Sequence, residues 1–156
     1  MEISLILSIL AIIISVIVAV IEYIRDYNIN KVNLEAEYYK ELFKDHLLYE
    51  LPKARKYIRF NSADKLVDVD NMIDELQNLL QDSLYFQYSN PEFYRGLKET
   101  VQEFENYLVQ QSGETFNAQE KQGVYKKIQA YIVQIYEHIS KGYIGKYNSK
   151  KIKKNI

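Results

Sequence analysis

The first third of the chain is dominated by one apolar run. Ile3 to Ile21 reads ISLILSILAIIISVIVAVI, with no charged residue and only Ser4, Ser8 and Ser15 as polar side chains. At about 1.5 Å of rise per residue this is roughly 28 Å of helix, close to the ~30 Å hydrocarbon core of a bilayer. The run predicts a transmembrane helix over residues 3–21. A cleaved signal peptide would carry a positive n-region, a shorter apolar core and a small-residue cleavage site. Met1-Glu2 has no Lys or Arg, and no such site follows. A buried core helix is disfavoured, because the segment is apolar on nearly every face and a small domain could not cover it.

Beyond the run the apolar positions fall at spacings of three and four, which predict amphipathic helices. The first, about Val32 to Leu51, turns Tyr39, Leu42, Phe43, Leu47 and Leu51 inward, and Pro52 breaks or kinks it. A short continuation holds Tyr57, Ile58 and Phe60. The second runs from about Asp64 to Phe86 on a stripe of Leu66, Val69, Ile73, Leu76, Leu80 and Leu84. Ser89-Asn90-Pro91-Glu92 supplies a cap followed by proline at the first helical position. That third helix runs to about Gln111 with Phe93, Leu97, Val101, Phe104 and Leu108 inward, and Ser112-Gly113 ends it. Asn117 with Glu120 resembles a capping box. The fourth helix buries Val124, Ile128, Tyr131, Ile135 and Ile139, and Gly142 lies at its expected stop. The predicted fold class is all-α: one N-terminal transmembrane helix, then a cytosolic antiparallel bundle of about four helices over 31–142, then a basic tail over 143–156. No alternating-period strand of useful length is visible.

The small residues of the run share one face. Ser4, Ser8, Ala11, Ser15 and Ala19 lie at spacings of 4, 3, 4 and 4, within an arc of about 80°. Glu22 and Asp26 continue the face past the apolar run. Small residues let helices approach closely, so this face is the candidate surface for self-association into a homo-oligomer. In a symmetric assembly it would give a serine-lined axis with a carboxylate ring at one end, as in cation pores. A tight dry interface, with Glu22 and Asp26 merely solvated, fits the same pattern. All 20 Lys and Arg follow the run, starting at Arg25 and Lys31. This asymmetry places the N-terminus outside and the helical domain on the cytoplasmic side of the membrane. Tyr23 and Tyr27 would form an interfacial aromatic belt.

Charge adds two further candidates. Asp64 to Glu105 is acidic, and two basic clusters flank it. Lys53, Arg55, Lys56 and Arg59 interleave with Tyr57, an arrangement able to bind phosphate or stack a base of a nucleotide or oligonucleotide signal. Pairing of these cations with the acidic stretch is the simpler reading. In the tail, Lys150, Lys151, Lys153 and Lys154 could hug anionic headgroups of the lipid bilayer or remain a solvated end.

Enzyme chemistry finds no support. The chain has no cysteine, which excludes thiolate metal sites and a cysteine nucleophile. His46 and His138 show no metal-ligand spacing. Asp68-Val69-Asp70 with Asp74 lacks the glycine and closing glutamate of a calcium loop. His46 with Asp45 and Glu41 reads as a solvated helix face. No catalytic residue, metal or cofactor is expected.

A lone N-terminal span, a serine/acid face and a helical domain bearing a basic-aromatic cluster resemble the small single-span membrane effectors of bacterial anti-phage defence, the Hailong channel subunit among them. The resemblance is one of layout and transfers no family residue. It implies an oligomeric effector anchored in a bacterial cell membrane: a cation channel gated by a ligand or partner on its cytosolic domain. The alternatives are a non-conducting anchored scaffold that recruits a cytosolic protein partner, and a phage holin-like lysis regulator.

Overall fold

The computed structural model describes the backbone of residues 2–144 and the side chains of 8, 9 and 11–144. It divides into two units, residues 1–37 and 38–156.

The first unit is helix. α1 runs unbroken from Glu2 to Leu42, with its last turn in the second unit. The expected membrane span is corrected here. Among the described residues, no helix is long and apolar enough to cross a membrane. From Ala11 to Leu34 every side chain of α1 is exposed, and the apolar run stops at Ile21. Glu22, Arg25 and Asp26 follow within five residues. The transmembrane fold class, the single-pass and ion-channel readings and the placement across a cell membrane are withdrawn with the span.

The second unit is a helical bundle. α1 passes directly into a π-helical segment, Phe43–Glu50, and then α2, Leu51–Tyr57. Proline explains the wider turn. The Leu51 amide donates to the His46 carbonyl, five residues back. In that register the Leu47 carbonyl would receive the amide of residue 52, and Pro52 has none. The Tyr136 hydroxyl takes its place and donates to the Leu47 carbonyl. Pro52 thus sits at the start of α2 rather than ending a helix.

Next comes a small hairpin that the apolar spacing conceals. β1, Arg59–Phe60, pairs antiparallel with β2, Leu66–Val67. Asn61 closes the turn, its side-chain oxygen accepting from the amides of Ala63 and Lys65. Asp64 and Asp68 adopt positive φ, 61° and 60°, which Asp tolerates because its side chain bonds locally. The hairpin docks on residues 112–116: the Gly113 amide donates to Leu66 O and the Phe116 amide to Asp64 O. The helix expected from Asp64 therefore starts only at Asp70.

α3, Asp70–Asp82, and the one-turn α4, Phe86–Ser89, lead into α5, Pro91–Gln111, and α6, Ala118–Tyr143. The caps hold as the sequence reads. Asn90 accepts from the Phe93 amide, and Asn117 and Glu120 form a reciprocal capping box. Every inward position expected on α5 and α6 is buried. Phe86, Phe93 and Tyr39 meet with centroids 4.2–4.9 Å apart, and Phe104 stacks on Tyr131 at 5.1 Å. Gly142 lies inside the last turn of α6 rather than past it. A Cβ there would stand 2.5 Å from the Tyr39 ring, so glycine permits this close crossing.

Candidate functional site

Three surfaces bear on function. On α1 the small-residue face is present as helix, but every described side chain from Ser8 through Leu34 is exposed. The side chain of Ser4 lies outside the described residues. The Ser15 hydroxyl donates to the Ala11 carbonyl at 2.8 Å, so it is satisfied within its own helix. Ala19, Glu22 and Asp26 follow on the same side. Asp26 lies 3.8 Å from Arg25, with both side chains about two-thirds exposed; such a pair contributes little. The same spacing continues through Asn30, Asn33 and Glu37. From Ser8 the steps are 3, 4, 4, 3, 4, 4, 3 and 4, an 11-residue repeat, which keeps a stripe on one side of a nearly straight helix. Around it, fifteen large apolar side chains stand exposed, from Ile9 through Ile21 to Val32 and Leu34.

The basic-aromatic cluster is brought together in α2 and β1, and much of its charge is already met. Lys53 bonds Glu50 at 3.0 Å, and Arg59 bonds Asp68 at 2.7 Å. The Arg55 guanidinium lies over the Tyr125 ring, 4.7 Å from its centroid, and its Nε is buried with no hydrogen-bond partner among the described residues. Lys56 and Tyr57 are exposed. The cleft beside Lys53 and Tyr57 is lined by Glu50, Asp74 and Glu75 as well, an acidic wall that repels phosphate. Lys150, Lys151, Lys153 and Lys154 lie outside the described residues.

The third surface was not legible as a site. His46 is buried, not solvated. The π-helical segment turns it onto α3, where Nδ1 lies 2.6 Å from Glu75 Oε1 and Nε2 lies 3.0 Å from Asp82 Oδ2. A cleft of about 220 Å³ opens beside it, lined by Tyr38, Glu41, Leu42, Asp45 and Asp82. Burial works to lower the His46 pKa, but the hydrogen bonds and charges of Glu75 and Asp82 outweigh it and hold the pKa above 6.5. The sequence signal was its place in the series Tyr39, Leu42, His46, the spacing of an inward stripe. His138 is likewise buried, within 2.9 Å of the Thr100 hydroxyl. Among the described residues, no group of three potential metal ligands converges.

No family model, curated protein or solved structure matches the chain.

Proposed function

We propose that the protein is the subunit of a homo-oligomeric helical scaffold, in which α1 is the assembly element and the second unit recruits a protein partner. One observation carries this reading: the fifteen exposed large apolar side chains of α1. A patch of that extent marks an interaction surface. What favours further copies of the same helix as its cover is the regular stripe of Ser8, Ala11, Ser15 and Ala19, continued by polar residues to Glu37. Small side chains at a constant repeat admit a neighbouring backbone closely over residues 8–19. Assembly then displays the second unit in several copies, raising the avidity for a partner with repeated sites. A protein partner is favoured over a phosphate-bearing ligand because Lys53 and Arg59 are already bonded to Glu50 and Asp68.

Light scattering on the full chain tests the reading. The expected mass is a fixed multiple of 18.5 kDa, and Ser8→Leu with Ser15→Leu lowers it. A monomer at micromolar concentration would refute the assembly. An unchanged mass in the double variant would refute the face.

A further inference from the structure

His46 carries an inference that does not depend on how α1 is covered. A neutral imidazole has one N–H, so it can donate to only one of two acceptors. Here both ring nitrogens face carboxylate oxygens, at 2.6 and 3.0 Å. Only the imidazolium donates to both. In the neutral form one nitrogen lone pair is directed at a carboxylate.

We propose that His46 is a proton-operated latch: as imidazolium it fastens the π-helical segment to the middle and the C-terminal end of α3 through Glu75 and Asp82, and on losing the proton it lets that segment loosen. The groups facing it agree in sign. From α3 come Glu75 and Asp82, from α1 Tyr38 and Glu41, and from its own segment Asp45. On the α2 side Lys53 neighbours Glu75 but is bonded to Glu50. On the α6 side Tyr136 is engaged by the Leu47 carbonyl. Among the described residues, no Lys or Arg lines the cleft at His46.

The raised pKa sets the direction. A histidine whose folded pKa lies above its unfolded value stabilises the fold fully below the unfolded pKa, near 6.5. That stability is lost as pH rises through the folded pKa. The latch is therefore closed in mildly acid conditions and opens on the alkaline side of 6.5.

The test uses the full chain. Imidazole resonances are titrated by NMR, and amide protection factors across Phe43–Glu50, corrected for intrinsic exchange, are compared at pH 5.5 and 8.5. The expected result is a His46 midpoint above 6.5, with protection of the segment falling several-fold between the two pH values. Asp82→Asn, at a largely exposed side chain, should move the midpoint down and shrink the difference. A midpoint at or below 6.5, or equal protection at both pH values, would overturn the latch. So would an Asp82→Asn variant that behaves like the parent.

Discussion

Removing one hydroxyl, with Tyr136→Phe, tests the account of the π-helical turn. Leu47 is fully buried. Its carbonyl has lost the amide at 51 to His46 O, and at 52 there is a proline. Without the Tyr136 hydroxyl the carbonyl is left in an apolar interior with no donor. An unsatisfied buried acceptor costs about 1–3 kcal/mol, and the half-buried ring stays in place, so no large cavity adds to that figure. A midpoint of about 2 kcal/mol corresponds to roughly 8–16 °C of Tm, taking the ~4–8 °C per kcal/mol typical of domains of up to about 100 residues. The decisive assay is a double-mutant cycle by denaturant unfolding. Pro52→Ala restores an amide at 52, which can serve the Leu47 carbonyl in the register already present. In that background Tyr136→Phe should cost less than half as much, a coupling of about 1 kcal/mol. Additive effects would refute the argument that proline orphans this carbonyl and tyrosine replaces the missing donor.

Other substitutions probe the packing and the ends of the helices. Gly142→Ala drives a methyl into the Tyr39 ring, which Asn90 holds through its hydroxyl at 3.0 Å and which packs on Phe86 and Phe93; thermal unfolding should show a loss of about 1–3 kcal/mol. Asn117→Ala removes the acceptor for the Gln119 and Glu120 amides and should cost about 1 kcal/mol, with exchange accelerated first in the opening turn of α6.

What the sequence revealed and what it hid have separate physical causes. α5, and α6 up to its last turn, are legible because each has an uninterrupted apolar stripe, a chemically distinct cap and burial on one side only. The start of α3 is hidden in the sequence because Leu66 falls in phase with Val69 and Ile73. Asn61 and the two aspartates at positive φ instead fold that stretch back on Phe60, a tertiary pairing invisible to helical spacing. His46 reads as surface in the sequence because Glu41 and Asp45 near it are charged. Those neighbours are indeed exposed, but the π-helical register rotates His46 itself onto α3. The N-terminal span is overturned for another reason: the hydropathy of the run predicts it, whereas among the described residues no helix is long and apolar enough to cross a membrane.

The boundary at Glu37 has one practical consequence. Among the described residues, every member of the hydrophobic core lies from Tyr39 onward, with Tyr38 packed against it, and none belongs to residues 1–37. An unrelated helix spliced in phase at this point, one of known stoichiometry, would present the same body at a copy number chosen in advance. The bundle is in this sense an interchangeable cargo, and the leading helix its handle.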